Sequence, residues 1–189
     1  MIQLLDSARL ETIYEEEMRQ DFPAEELKPL KRMLEMMAEG HYDVWGYIQD
    51  ETLLAYACVY HDQDIALLDY FAVVARHRAK GTGTLFLKQL LGEEMPYGTM
   101  MIEIEAVSDA TTAAMYQERQ RRQKFYERLG YRKSLVHAYV FGVHYWVMVP
   151  SSVSTGQLVK EGMEKVYRYF VPQREKYEAH IRMTIESDA

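Results

Sequence analysis

Cys58 is the only cysteine in 189 residues. It therefore excludes an internal disulfide and the small, bridge-stapled folds that depend on one. It lies in an apolar, strand-like run and reads as a small core residue. No apolar stretch approaches the ~20 residues that a membrane-spanning helix needs. The N-terminus also lacks the basic-then-apolar layout of a signal peptide. These absences make a cytoplasmic protein in a reducing compartment, with no membrane partner, the expectation. Basic residues are the minority, 22 Lys and Arg against 29 Asp and Glu, for a formal net charge of −7. Such a surface repels a phosphate backbone, so no nucleic-acid partner is expected. The histidines at 41, 61, 77, 137, 144 and 180 are scattered and show no metal-ligand spacing, so no metal is expected. No serine or cysteine nucleophile has a supporting motif, and the chain contains no internal repeat.

What is there suits a folded protein: 48% hydrophobic and 27% charged residues, in a length fit for one domain with an appendage. Residues 1–5 read as a first strand. Asp6 or Ser7 then caps a helix to about Asp21, where Pro23 breaks it. A second helix is predicted over 24–38, with Leu27, Leu30, Met33, Leu34 and Met37 at three- and four-residue steps and Gly40 ending it. Strands at 42–48, 52–60 and 65–74 are joined by short polar turns and read as an antiparallel meander. The pattern then changes to a helix over 83–94, a strand over 99–107, a helix ending at Gly130, and two strands within 131–149. A strand–helix–strand unit of that kind implies a parallel crossover between 65–74 and 99–107. The expected fold class is α/β, a mixed and mostly antiparallel sheet of about seven strands. Its domain is expected over 1–150. Residues 151–189 form an amphipathic helical tail, with Tyr177, Ile181 and Ile185 continuing at four-residue steps, that packs on the domain or makes a homodimer.

Chemistry concentrates first in residues 69–91, where a buried strand runs into the turn Arg78-Ala79-Lys80-Gly81-Thr82-Gly83-Thr84 and a helix. The glycines permit a tight turn and a close backbone approach. The free amides of a helix start make an anion site, with Arg78 and Lys80 adding charge. A diphosphate is the anion that suits it. Position 86 is Phe where the dinucleotide fingerprint needs its third glycine, and no Gly-Lys-Ser/Thr is present; both nucleotide motifs are excluded.

The run Asp69-Tyr70-Phe71-Ala72-Val73-Val74, followed by Arg78-x-x-Gly-x-Gly and Leu85-x-Leu87, resembles the coenzyme-A-binding motif of the GNAT superfamily of N-acyltransferases. A second block, Phe125-Tyr126-Glu127-Arg128-Leu129-Gly130-Tyr131, is similar to that superfamily's helix-to-strand segment. The resemblance implies that Phe71, Ala72 and Val73 lend backbone groups to the pantetheine arm. It implies a pyrophosphate on the amides of Lys80, Gly81, Thr82, Gly83 and Thr84, with Arg78 beside it. It implies acetyl-CoA as co-substrate without a metal, and Tyr126 as the acid that protonates the departing thiolate. Position 119 departs from the pattern, with Arg119 where many members have Asn.

Glu103 and Glu105 share one face of the 99–107 strand by alternation, with Ile102 and Ile104 on the other. The superfamily commonly stations a general-base carboxylate there, which makes both glutamates base candidates. The competing reading is a salt bridge to Arg121 or Arg122, within the basic run 119–124. The resulting expectation is an acetyl-CoA-dependent N-acetyltransferase acting by direct attack of a primary amine of a small molecule or peptide. The alternative is a non-catalytic acyl-CoA-binding module that works through a protein partner. In the superfamily the helices that correspond to 7–21 and 24–40 often flank the acceptor site, so the resemblance together with the acidity of the first implies a cationic acceptor.

Overall fold

The first helix obeys its sequence signals. In the computed structural model, which describes residues 1–92, 96–153 and 156–186, the Asp6 carboxylate accepts a hydrogen bond from the Arg9 amide at 2.9 Å and caps α1 (Ser7–Ile13). A π-helical turn (Tyr14–Met18) carries the chain into α2 (Arg19–Asp21), and Phe22 is extended ahead of Pro23. Helix α3 spans only Leu30–Ala38, shorter than the periodicity predicts. Pro29 is the reason: it cannot donate to a preceding turn, and it disfavours helical geometry at Lys28. Met33 and Met36 form its fully buried contacts.

Two units of chain divide at residue 98, Met1–Gly98 and Thr99–Ala189. In the first, β1 (Ile2–Leu5), β2 (Tyr42–Gln49), β3 (Thr52–Asp62) and β4 (Ile65–Val73) follow one another in an antiparallel meander. Its β2–β3 turn falls on Asp50 and Glu51, both at positive φ (47° and 60°). A register shift opposite Cys58 and Val59 pairs them with Tyr70 and Leu68, so Asp69 is the extra residue of a β-bulge. Its side chain is 8% exposed; it receives Lys28 Nζ at 2.7 Å and the Tyr42 hydroxyl at 2.6 Å. Helix α4 (Thr82–Leu90) lays Phe86, Leu87 and Leu90 into the core. This helix ends at Leu90, with Leu91 leaving helical geometry as its C-cap, short of the predicted end at Glu94, which itself lies outside the described residues. Gly98 closes the unit in a place where a Cβ would meet the Asp64 carbonyl oxygen at 2.1 Å.

In the second unit β5 (Thr99–Glu105) pairs with β7 (Val143–Pro150), and β7 with β6 (Tyr131–Val140), all antiparallel. Helix α5 (Ala113–Glu127) is capped by Thr112, whose hydroxyl accepts from the Met115 amide at 3.2 Å. The tail does not stay helical. After α6 (Gly156–Phe170) and α7 (Arg174–His180), residues Ile181–Ile185 form a further strand, β8, antiparallel to β6. The described residues form eight strands where about seven were expected. A four-residue step is also an even number, so Tyr177, Ile181 and Ile185 satisfy a period of two as well. Ile181 and Met183 are buried on either side of exposed Arg182, and branched Ile and Thr favour the strand. Val159, Met163, Val166 and Tyr167 bury the inner face of α6. Among the described residues, no helix is long and apolar enough to cross a membrane.

Candidate active site

Strand β4 ends at Val73, and its last residues Phe71, Ala72 and Val73 pair with Ala57, Tyr56 and Ala55 of β3. The turn that follows is built on two left-handed residues, Ala79 (φ 63°) and Gly81 (φ 78°). Gly81 is the N-cap of α4, and a Cβ there would meet nothing within 4 Å, so backbone conformation rather than space demands glycine. The first intrahelical bond runs from the Leu85 amide to the Gly81 carbonyl at 3.1 Å. The amides of Thr82, Gly83 and Thr84 precede it and point out of the helix start, the geometry of an anion nest. Lys80 is exposed beside them, and Thr82 is buried with its hydroxyl toward the His77 carbonyl.

Arg78 is not free at this turn. Its Nε donates to the Val73 carbonyl at 2.9 Å, and Nη2 donates to Asp21 Oδ1 at 2.5 Å. Asp21, at the end of α2, has a side chain 6% exposed, and its Oδ2 accepts from the Tyr56 hydroxyl at 2.8 Å. Burial and the adjacent Asp21 carboxylate push the Tyr56 phenol far above its ordinary range, so it stays a donor. Sequence reasoning missed Asp21 and Tyr56 as parts of this site. Only the acidity of residues 7–21 pointed toward them.

In the second unit both glutamates of β5 are engaged. Glu105 receives Arg119 at 3.1 Å and Arg122 at 2.6 Å. Arg119, its side chain 11% exposed, also donates to the Ala106 carbonyl at 2.8 Å. The ion-pair reading of Glu105 is thus realised, through Arg119 and Arg122, with Arg121 making no such contact. Glu103 accepts from the Tyr167 hydroxyl of α6 at 2.7 Å, a neutral partner. Tyr126 lies on the inner side of α5, 7% exposed, edge-on to Phe125 at 5.2 Å. Its hydroxyl has no hydrogen-bond partner among the described residues. Burial pushes the phenol up to about 12, against a smaller opposing pull from Arg122. It is a neutral proton donor throughout the physiological range.

The histidines are less scattered than their positions suggest. The β6–β7 hairpin turns at Phe141 and Gly142 and brings His137 Nδ1 within 2.8 Å of His144 Nε2. Asp109 lies 3.1 Å from the other nitrogen of His144, and Glu186 3.3 Å from that of His137. Ser108 donates to Asp109 and, ahead of its neighbours His144 and Arg119, holds the Asp109 carboxyl below its ordinary range. The signal that could have found this row was the hairpin register, because Trp146 faces His137 and a residue two positions from Trp146 shares its face. Among the described residues no group of three such side chains converges to hold a metal ion.

Residues 40–133 match the sequence model of the acetyltransferase (GNAT) domain. No curated protein matches the chain by sequence. Among solved structures, one described as a GNAT-family acetyltransferase from Bacteroides thetaiotaomicron superposes with a TM-score of 0.71 at 17% identity, covering 90% of this chain and 97% of its own. The ribosomal-protein-S18-alanine N-acetyltransferase of Escherichia coli gives 0.57 at 21% identity, over 83% and 96%. An acetyltransferase from Salmonella typhimurium, solved with its cofactor acetyl-CoA, gives 0.57 at 16%, over 82% and 95%. The shared fold is α/β, with a mixed sheet that is antiparallel but for one parallel pair. The glycine turn after β4, the tyrosine of α5 and the matching family domain agree: the chain belongs to the GNAT superfamily of acyltransferases.

Proposed function

We propose that this chain transfers the acetyl group of acetyl-CoA to a primary amine by direct attack. The observation that carries the donor half is the nest at the start of α4, where Gly81 opens a helix directly after the β4 turn. The amides of Thr82, Gly83 and Thr84, with Lys80, hold the diphosphate. The backbone of Phe71, Ala72 and Val73 takes the pantetheine arm, and an amide near Val73 polarises the thioester carbonyl.

For the acceptor half, a carboxylate takes a proton from the ammonium, and the neutral amine attacks the thioester carbon. The C–N bond forms, the C–S bond breaks, and Tyr126 gives its proton to the departing thiolate. The nitrogen gives up its second proton to solvent as the amide forms, solvent returns one to Tyr126, and the carboxylate releases the one it took, so the net products are the amide, the free thiol and one proton. Glu103 and Glu105 are the two carboxylates proposed for that role. Glu103 accepts from the Tyr167 hydroxyl, and its place on the strand is what proposes it, whereas both oxygens of Glu105 are held by guanidinium groups. Helix α6 packs against β6 and β8.

The experiment is incubation of the chain with acetyl-CoA and a metabolite mixture enriched in amines, with mass spectrometry for a product heavier by one acetyl group. Free thiol released together with that product supports the transferase. Tight CoA binding with no thiol release across the amines supports a binding module instead, a reading favoured by the double engagement of Glu105.

A further inference from the structure

The two arginines of the segment after β4 are both held by carboxylates of the first helical run. Arg78 Nη2 meets Asp21 at 2.5 Å, and Arg76 Nη1 meets Glu17 at 3.4 Å. Glu17 and Asp21 lie four residues apart, on one side of that run, and both carboxylates add to the rise that burial gives the Tyr56 phenol. The Arg78–Asp21 pair is asymmetric. The aspartate side chain is 6% exposed and fixed by Tyr56, whereas the arginine side chain is 54% exposed beside the anion nest. A buried carboxylate keeps a cation because desolvation makes it costly to leave alone. A guanidinium fork prefers a diphosphate at least as well as a single carboxylate. One arginine thus stands between two anions, one built into the fold and one brought by the donor.

We propose that Arg78 is shared in this way: Asp21 is a positioning residue that holds it folded onto the end of β4, and the donor's diphosphate draws it off. This rests on the donor reading above and adds a competition to it. Binding of the coenzyme and the Arg78–Asp21 bond oppose each other, and linkage makes the opposition reciprocal. Donor arrival also leaves a buried carboxylate at the end of α2 ready for another cation.

The test is calorimetric titration of CoA into the full chain and its variants. Asp21→Asn keeps the shape and the Tyr56 bond and discards the charge. It should tighten CoA binding roughly two- to fivefold, the range a partly exposed ion pair controls. Arg78→Ala should weaken binding, and adding Asp21→Asn to Arg78→Ala should then change nothing further. A purely structural Asp21 would give weaker or unchanged binding in the single variant, and that result overturns the proposal. Failure of the wild-type chain to bind CoA removes the donor reading and the competition with it; binding with an unaltered Asp21→Asn constant removes the competition alone. Where Asp21→Asn does not fold, the wild-type chain still decides. The Arg78 Nε–H resonance, recognised by its loss in Arg78→Lys, should move on CoA addition, and a stationary signal overturns the proposal.

Discussion

Replacing Tyr126 by Phe separates chemistry from stability at the residue proposed as the general acid. The ring is 7% exposed and packed edge-on against Phe125, and Phe keeps that packing. The hydroxyl has no hydrogen-bond partner among the described residues, so no buried group is orphaned by its removal. The stability change should therefore stay within about 0.5 kcal/mol. Loss of a positioned general acid costs about 100- to 10,000-fold in rate, or ~2.7–5.5 kcal/mol in the barrier. Thiol release followed with a thiol-reactive chromophore should show that loss in kcat, while the CoA dissociation constant from calorimetry stays unchanged. The pH profile offers a second check. A phenol pushed up to about 12 stays protonated, so the wild-type rate should show no alkaline fall from this group below about pH 11. An unchanged kcat with donor and acceptor bound would strike Tyr126 from the mechanism. A large drop in melting temperature would show that the hydroxyl has a structural duty instead.

Two further outcomes concern stability. Burial raises the Tyr126 phenol to about 12 in the folded chain, against ~10 unfolded, and raises Tyr42, Tyr70 and Tyr131 as well. A raised folded value means the stabilisation is whole below pH ~10 and is lost as pH rises through about 12, ~2–3 kcal/mol for Tyr126 alone. Urea midpoints should thus fall steeply between those values, and a flat profile would contradict the burial of these phenols. Asp69→Ala strips the Lys28 ammonium and the Tyr42 hydroxyl of their shared acceptor. With Lys28 partly exposed the cost should be about 2–4 kcal/mol by chemical denaturation. A loss under ~0.5 kcal/mol would mean that this bonding does not anchor the loop before α3 to the β-bulge.

Much of the fold is legible from local rules, because local rules decide it. The cap at Asp6, the turn at Asp50 and Glu51, and the helix opened by Gly81 each follow from the residue that makes them. The misread elements are those where two periods coincide or a breaker sits inside an apolar pattern. Tyr177, Ile181 and Ile185 fit a helix and a strand alike, and only pairing with β6 decides. The apolar steps before Leu30 continue a helical pattern that Pro29 interrupts.

The site divides along a different line. Positions whose conformation is set locally, such as the left-handed Gly81 that opens α4, are found from sequence because motif and conformation travel together. Side chains whose role depends on a distant charge are not. Arg78 reads as a phosphate ligand from its neighbours, yet its nearest anion is Asp21, 57 positions away. Glu105 reads as a base from its strand, yet two guanidinium groups of α5 fill its oxygens. In both cases the residue type announces a charge that needs a partner, and the partner is chosen by the packing of elements rather than by spacing along the chain. A charged residue in a motif therefore states an affinity for opposite charge, and only the folded chain determines whether ligand or protein satisfies it first. At Arg78 the two compete, and the affinity of the Asp21→Asn variant for CoA measures by how much.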